Sequence, residues 1–302
     1  MSQDKTMQDV AMQDVAMVLD PETVIRTKQR ILITGCSGKL GRILWERLEK
    51  DNILVGMSRS INRLDIRDSR NIETAIRLHG GVDQIYHLAS KVSFNHRDEK
   101  EVWDTNVKGT ENLLNIARRH KITKVVVVSS ACTVGACNNP YTSKNETGEE
   151  RDQSNAYVKS KLYQEILARR YGAVIVAPST CGLPLMAGRI IPSGGTNVVD
   201  PHDAVEGMIY AMRHGRRGVK YILGGYNVTF EEIYRMAGRK FIVCPRWLRR
   251  PLMWAAKFDP SWYMSPYTMD QAFRFKYYNC KKAKEELGWE PIIKLESMLG
   301  QR

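Results

Sequence analysis

The feature that most constrains the fold is a glycine-spaced turn between an apolar run and a helical pattern. Residues 31–33 are β-forming, and Gly35, Gly38 and Gly41 follow at intervals of three. The first glycine permits a tight turn, the second lets backbone N–H groups approach a phosphate, and the third lets a helix pack closely on the strand. A glycine-rich surface turn would look similar, but the strand before these glycines and the helix after them favour a phosphate-binding turn.

At 302 residues the chain is long enough for one large α/β domain, with or without a smaller lobe. No apolar run reaches the roughly 18 residues that a membrane-spanning helix needs. Pro178 and Pro184 interrupt the longest candidate, residues 173–186. Residues 1–20 are polar and acidic, unlike a secretory signal. The six cysteines lack metal-binding spacing, so we expect free thiols, no metal site and a cytoplasmic location.

A leader precedes the phosphate-binding turn. Residues 7–11 (MQDVA) are repeated directly as residues 12–16, and two copies are too few for a solenoid. We therefore predict that residues 1–28 are a disordered or weakly helical leader without catalytic residues.

From residue 29 onward, strand-like and helix-like segments alternate. Residues 124–129 are rich in valine without polar alternation, which is typical of a strand buried on both faces of a parallel sheet. The alternation predicts an α/β fold with a doubly wound parallel sheet over residues 29–185, and ligands at the carboxyl ends of its strands. We expect strands at residues 30–34, 53–57, 84–88, 124–129 and 173–177, and helices at residues 40–50, 71–78, 103–120 and 156–171.

The pattern changes after about residue 185. Proline, glycine and aromatic residues become more frequent, and irregular segments separate the helical stretches. We interpret residues 186–302 as a smaller C-terminal substrate-binding lobe packed on the first domain. Its predicted helices lie at residues 203–213, 230–239, 246–257, 265–275 and 281–287.

Two further segments can carry chemistry. Tyr157 and Lys161 are four residues apart in a predicted helix and therefore share a face. A nearby ammonium favours the phenolate, so Tyr157 can exchange a proton with a carbonyl or alcohol oxygen, and Lys161 can hold a ribose hydroxyl. Ser129 and Ser130 end the valine-rich strand, where a hydroxyl can hydrogen-bond a substrate oxygen. Taken singly, these residues are equally consistent with surface positions or a helix cap.

The combination of five segments, in a fixed order along the chain, is far more specific than any one of them alone. In order, they are the glycine turn, residues 83–90 (DQIYHLAS), residues 106–110 (NVKGT), Ser129-Ser130, and Tyr157 with Lys161. Their order and intervals closely resemble the extended short-chain dehydrogenase/reductase family, the superfamily of the NAD-dependent epimerases and dehydratases. The resemblance runs from Arg30 to about Pro291. It implies a Rossmann-type sheet, a nicotinamide cofactor and a catalytic group of Ser, Tyr and Lys.

The hydroxyl that would hold the substrate oxygen differs between branches of this family. In nucleotide-sugar epimerases and dehydratases it usually lies two residues before a Thr-Val pair, where this chain has Ala131. In the dihydroflavonol reductase and 3β-hydroxysteroid dehydrogenase branches the second Ser of a Ser-Ser-Ala run serves, which Ser130 matches. We therefore assign Ser130, Tyr157 and Lys161 as catalytic, with Thr133 as an alternative hydroxyl. The predicted activity is NADPH-dependent reduction of a ketone or aldehyde of a small biosynthetic metabolite.

The residue after the second strand discriminates NADP from NAD. A carboxylate there binds the ribose 2′-hydroxyl of NAD, whereas an arginine accepts the 2′-phosphate of NADP. This chain has Arg59, with Arg63 close behind and no acid before Asp65, so we predict NADP(H) in preference to NAD(H). The resemblance adds Asp65 and Ile66 as an adenine-contacting pair. The predicted cofactor site consists of Gly35, Ser37, Gly38, Lys39, Leu40, Gly41, Arg59, Arg63, Asp65, Ile66, Leu88, Ala89, Ser90, Lys91, Tyr157, Lys161, Pro178 and Thr180.

Two other functions stay open. The segment 59–65 has no room for a full helix and is similar in this to dTDP-4-dehydrorhamnose reductases, which keeps a nucleotide-sugar epimerase, dehydratase or reductase as the alternative. A non-catalytic NADP-sensing protein is the third hypothesis, and Ser130, Tyr157 and Lys161 argue against it.

The net charge of +13 bears on possible partners. Residues 235–257 hold seven basic residues and no acid, between side chains such as Trp247 and Trp254. This segment can be a solvated lid helix, an anion-binding face or a surface for peripheral membrane contact. No nucleic-acid-binding motif accompanies the charge, so we expect a small-molecule substrate and no nucleic acid. Relatives dimerise through the helices at residues 103–120 and 156–171, which suggests a homodimer by analogy.

Overall fold

The structure of this chain is a computed structural model that describes residues 28–145, 155–185, 188–258 and 266–299. The predicted leader, up to residue 27, lies outside these ranges. Within them, the strands are β1 (Arg30–Thr34), β2 (Ile53–Met57), β3 (Gln84–His87), β4 (Lys124–Val128), β5 (Val174–Pro178), β6 (Thr180–Cys181), β7 (Ile190–Pro192), β8 (Gly195–Val199), β9 (Lys220–Leu223), β10 (Tyr226–Thr229), β11 (Ile242–Cys244) and β12 (Phe275–Lys276). The α-helices are α1 (Lys39–Leu48), α2 (Ser69–Leu78), α3 (Glu99–Trp103), α4 (Gly109–Arg119), α5 (Ala156–Tyr171), α6 (Pro201–His214), α7 (Phe230–Met236), α8 (Arg249–Ala255) and α9 (Pro266–Ala272).

A six-stranded parallel sheet in the order β2-β1-β3-β4-β5-β9 forms the centre of the fold. Ile33 of β1 is in register with Gly56 of β2 on one side and Tyr86 of β3 on the other. β1 and β4 are buried after their first residue, because helices cover both faces of the sheet. The predicted α/β doubly wound parallel sheet is therefore confirmed.

Apolar side chains fill both faces of this sheet. On one face, α1 and α6 contribute residues such as Leu44 and Met208. On the other face, α2, α4 and α5 contribute residues such as Ile76, Leu113 and Ala168. The two layers hold the carboxyl ends of the strands at one edge, where the order of the strands reverses on either side of β1.

The predicted helix at residues 103–120 is interrupted. After α3, residues Asp104–Lys108 form a π-helical turn, and α4 then continues to Arg119. The wider turn brings the side chain of Asn106 out of the helix toward Lys91 and Ser160. One such turn leaves the apolar periodicity almost unchanged, so the sequence pattern does not reveal it.

The C-terminal half contributes to the central sheet as well as to smaller sheets. β9 pairs with β5 and forms the last strand of the parallel sheet, and α6 packs on the same core as α1. The smaller sheets are β10-β8-β12, with β6 beside β8, and the pair β11-β7. The central sheet thus extends past residue 185, and the division into two units at that residue stays a prediction.

Within the described ranges, no helix is both long enough and apolar enough to cross a membrane.

Candidate active site

The glycine turn after β1 packs closely against the end of β3. Gly35 has a φ of +74°, and a Cβ atom there would lie 2.7 Å from the backbone nitrogen of Ala89. A Cβ on Gly41 would lie 2.3 Å from the carbonyl oxygen of Gly35. Both distances are too short for any side chain, so glycine is required at both positions. On its other side, the turn lines a cleft at the ends of the strands through Gly35 and Gly38.

A cleft of about 410 Å³ lies between this turn and the ends of β2 and β3. The predicted cofactor residues that line it are Gly35, Ser37, Gly38, Arg59, Asp65, Ile66, Leu88, Ala89 and Ser90. The cleft adds Thr34, Met57, Ser58, Ser60, Leu64 and Thr105, which the sequence analysis did not identify.

The polar groups of this cleft fit a dinucleotide. Thr105 Oγ1, which lines the cleft, is buried without a hydrogen-bond partner in the described part of the chain. The hydroxyl oxygens of Ser37 and Ser58 lie 2.6 Å apart, and those of Ser58 and Ser60 lie 3.0 Å apart. Unpaired buried hydroxyls are costly, and ribose or phosphate oxygens would satisfy them.

Cations and carboxylates are already paired at the far end of the cleft. Arg59 donates to Glu101 Oε1 at 3.0 Å, and Lys91 Nζ lies 3.0 Å from Glu101 Oε2. Asp65 is held by Arg67 through both carboxylate oxygens, and the Arg67 hydrogen bonds keep the pKa of Asp65 low despite the opposing effect of burial. Arg63 is exposed and adopts a left-handed backbone with a φ of 56°.

The remaining predicted cofactor residues divide into two groups. Lys39 reaches the segment after β6, because its Nζ lies 3.5 Å from the position of a Cβ at Gly182. Thr180 Oγ1 lies 2.9 Å from Thr196 Oγ1. By contrast, Leu40 packs against the core, and Pro178 is buried in the β5–β9 pairing.

Tyr157 is buried at the start of α5, close to Ser130. Asn155 caps the helix by accepting a hydrogen bond from the Tyr157 N–H at 2.8 Å. Burial raises the pKa of the Tyr157 phenol well above its usual value, and the Ser130 hydroxyl acts in the opposite direction. The Phe94 ring meets the Tyr157 ring edge-on at 5.4 Å, and Tyr267 stacks on Phe94 at 5.4 Å. The phenol is therefore protonated at neutral pH.

Lys161 is buried one helical turn further along α5. Its Nζ donates to the carbonyl oxygen of Val128 and to Gln164 Oε1, both at 2.9 Å. Burial lowers the pKa of Lys161 to about 8. The sequence suggested that Lys161 lowers the pKa of Tyr157. The structure differs, because burial dominates at the phenol and the ammonium is directed to these two oxygens.

A buried hydrogen-bond network joins Lys161 to the cofactor cleft. Gln164 Nε2 donates to Thr110 Oγ1 at 2.8 Å, and Thr110 Oγ1 in turn donates to the Asn106 carbonyl. His87 Nε2 lies 2.8 Å from Thr110 Oγ1, and its Nδ1 lies 2.7 Å from Thr34 Oγ1. Because the Thr110 proton is used elsewhere, His87 Nε2 is the donor and Nδ1 the acceptor. Burial lowers the pKa of His87 to about 3, so the ring is neutral.

Ser129 and Thr133 point away from the cleft. Both hydroxyls donate to Glu165 Oε1, at 2.7 Å and 2.8 Å, and Lys220 Nζ lies 2.7 Å from the same oxygen. Burial raises the pKa of the Glu165 carboxyl, but Lys220 and these hydroxyls outweigh it and leave the pKa lowered. Thr133 is 2% exposed, so it is not available as a substitute for Ser130, which is only partly buried.

The sequence analysis missed several residues of this site. His87, Thr34, Gln164, Glu165 and Lys220 were not identified, because each has a hydrogen-bond or ion-pair partner far away in sequence. A second cavity of about 730 Å³ lies along β2 between α1 and α2, away from Ser130 and Tyr157.

Within the described ranges, no three or more His, Cys, Asp or Glu side chains are grouped so that they could hold a metal ion.

Sequence comparison shows which known proteins this chain is similar to. The sequence model of the NAD dependent epimerase/dehydratase family matches residues 31–184. Sterol demethylase protein B of Methylococcus capsulatus is 30% identical over 238 residues, covering 67% of this chain and 71% of that protein. UDP-glucose 4-epimerase of Rickettsia typhi is 26% identical over 234 residues, covering 67% and 68%.

A solved structure shows the same fold. RMD from Pseudomonas aeruginosa, complexed with NADPH, superposes with a TM-score of 0.68 at 18% identity, covering 90% of this chain and 96% of that one. Together with the glycine turn, the parallel sheet and the Ser130, Tyr157 and Lys161 group, the family match over half of the sequence establishes that the chain belongs to the NAD-dependent epimerase/dehydratase family of extended short-chain dehydrogenases/reductases.

Proposed function

We propose that this chain reduces a ketone or aldehyde to an alcohol with NADPH. The observation that best supports the proposal is that Ser130, Tyr157 and Lys161 meet at the carboxyl edge of the sheet, next to the cleft behind the glycine turn. When bound there, the nicotinamide would supply the hydride. The protein would supply the proton and the positioning.

The three side chains suit different parts of that task. The Ser130 hydroxyl, which caps the short turn after β4, can donate a hydrogen bond to a substrate carbonyl oxygen. Tyr157 is protonated and can donate its proton to the oxygen as negative charge develops there. Lys161 has three N–H donors and uses two on Val128 and Gln164, so the third can reach a ribose hydroxyl.

The preference for NADPH rests on Arg59. Its guanidinium lines the cleft beside Ser58 and Ser60, where hydroxyls and a cation together suit the 2′-phosphate. The nearby carboxylates are already engaged, Glu101 by Arg59 and Lys91, and Asp65 by Arg67. Equal turnover with NADH and NADPH would contradict this assignment.

Replacing the phenol is the direct test of the reductase. Tyr157→Phe should lower kcat by about 10²–10⁴-fold, because the proton donor is lost, while NADPH binding stays within about twofold. NADPH oxidation is followed at saturating cofactor with a panel of sterol, flavonoid-like and acyl ketones. Tyr163→Phe is the matched control on the same helix, since Tyr163 is half exposed. Full activity of Tyr157→Phe would refute the mechanism.

A nucleotide-sugar epimerase is the second candidate, and the match to a UDP-glucose 4-epimerase favours it. Such an enzyme returns the hydride to its substrate and consumes no NADPH. A rise in Tm with UDP- or dTDP-sugars, together with sugar isomerisation without NADPH consumption, would support this candidate over the reductase.

A further inference from the structure

Lys276 is a partly buried lysine whose charge is not balanced. It lies in β12, and its ammonium has no hydrogen bond and no ion pair with any residue that the structure describes. Two other cations that act on the Cys132 thiol, Lys161 and Lys220, are engaged. Lys161 donates to two oxygens, and Lys220 is paired with Glu165. A cation without a partner in a partly buried position is costly unless a ligand neutralises it.

Strand alternation directs Lys276 toward the active site. Phe275 and Tyr277 contact each other at 5.4 Å between ring centroids and pack with Cys137 on one face of the strand. Lys276 must then project from the opposite face, as does Tyr278. Tyr278 packs against the turn that follows Ser130, through Ala131 and Val134.

The partner strand gives the same direction. Lys276 is in register with Thr196 of β8, and residues in register project from the same face of a sheet. Thr196 Oγ1 lies 2.9 Å from the hydroxyl of Thr180, a predicted cofactor residue. Lys276 is therefore placed on the face of β12 that carries Tyr278 toward the turn of Ser130 and that Thr196 shares with Thr180.

The charge of Lys276 affects the pKa of the Cys132 thiol. Burial raises the pKa of Cys132, and the cations of Lys161, Lys220 and Lys276 act against that effect. Burial also lowers the pKa of Lys276. The carboxylate of Glu165 is already shared between Lys220 and Arg169, so it does not compensate Lys276.

We propose that Lys276 binds a carboxylate that the substrate carries near its reacting carbonyl group. The proposal rests on the reductase function and specifies its substrate class. A single ammonium balances a single negative charge, which is what a carboxylate carries. The substrate is then an oxo acid or a hydroxy acid rather than a neutral ketone.

A pair of probes that differ only in charge tests this subsite. 4-Oxocyclohexanecarboxylate and its methyl ester are compared as substrates with NADPH. The wild-type protein should favour the acid by about tenfold to a hundredfold in kcat/KM, the effect of one hydrogen bond to a charged group. Lys276→Met should abolish that preference by lowering kcat/KM for the acid toward the value for the ester, and Lys276→Arg should keep most of the preference. Lys240→Met, at an exposed lysine of the same lobe, is the matched control.

A second measurement does not need turnover. Cys132 is alkylated with anionic iodoacetate or neutral iodoacetamide, and peptide mapping gives the ratio of the two rates, with Cys280 as the internal reference. Lys276→Met should lower the iodoacetate ratio at Cys132 several-fold, whereas Lys240→Met should not. Equal ratios in wild type and Lys276→Met would overturn the subsite. If Lys276→Met shifts the alkylation ratio at Cys132, but neither the wild-type protein nor any variant reduces the oxo acid or its ester, the subsite is supported and the reductase function is not.

Discussion

At the scale of single residues, the proposed reduction depends on the protonation states of Tyr157 and Lys161. The Tyr157 phenol is buried and holds its proton, which is the state that a developing alkoxide needs. A dehydrogenase working toward the ketone would need the phenolate instead. Lys161, with its pKa lowered to about 8, is the group near the phenol that titrates close to neutral pH.

We predict that kcat/KM falls as the pH rises above about 8, because Lys161 then loses the proton that holds the cofactor ribose. The measurement is the pH profile of NADPH-dependent reduction, with NADPH affinity determined at each pH. Lys161→Arg should move this loss to higher pH, since a guanidinium stays charged. If kcat/KM of Lys161→Arg falls over the same pH range as that of the wild-type protein, the fall is due to another titrating group.

His87 should make the protein sensitive to acid. Its pKa is about 3 in the folded state and about 6.5 when unfolded, so the unfolded chain binds an extra proton between these values. The free energy of unfolding should therefore fall as the pH decreases below about 6.5, at a slope of up to about 1.4 kcal/mol per pH unit. Urea unfolding at several pH values measures this slope. His87→Gln should reduce it, and an equal slope in both proteins would contradict the assignment.

At the scale of elements, the buried ion pair between α5 and β9 ties the two halves of the chain together. Lys220 is 5% exposed and Glu165 is 2% exposed. Thr133 hydrogen-bonds with Lys220, Glu165 and the Ser130 carbonyl oxygen, so the ion pair also supports the turn that begins at Ser130.

We predict that Lys220→Met destabilises the protein by about 3–5 kcal/mol, because it removes the buried cation that balances Glu165 and leaves the partly exposed Arg169 as the one cation paired with that carboxylate in the described ranges. The double variant Lys220→Met with Glu165→Leu should recover most of that loss, since no buried charge remains. Both values come from urea unfolding. A single variant within about 1 kcal/mol of wild type would show that the pair carries little stability.

Local patterns predicted much of this fold. The bounds of β1, β2 and α5 follow from the sequence, because apolar runs, a capping Asn155 and a terminal Gly172 mark them. The π-helical turn and β9 do not, since the turn hardly alters periodicity and β9 is a short strand that begins with a lysine. Ser130 and Tyr157 are assigned through the resemblance to the family, and their catalytic roles stay predictions. Lys276 is not assigned in this way, because only strand pairing shows where it projects.

At the scale of the whole molecule, one surface combines exposed aromatic rings with positive charge. Trp247, Trp254 and Phe258 are 73%, 65% and 73% exposed, and the rings of Trp254 and Phe258 lie 5.2 Å apart. Arg250 and Lys257 are exposed nearby, without a carboxylate partner in the described ranges. Aromatic rings beside basic residues are typical of contact with the headgroup region of an anionic membrane.

We predict that the protein co-sediments with phosphatidylserine-rich vesicles and much less with phosphatidylcholine vesicles, because both charge and aromatic insertion contribute. Trp254→Ala with Phe258→Ala should abolish the difference. Tyr141→Ala, at a side chain 93% exposed elsewhere, is the control. Equal binding by the double variant and wild type, or equal binding to both vesicle types, would exclude this surface as a membrane contact.

The late position of β9 has a consequence for synthesis on the ribosome. β5 is apolar and fully buried in the finished protein, and its outer edge pairs with β9, residues 220–223. A nascent chain that has just emerged as far as β5 therefore exposes an unpaired apolar strand for a few seconds at ordinary translation rates. During that interval the chain is open to pairing with other nascent chains, and a chaperone that shields this edge would raise the yield of native protein.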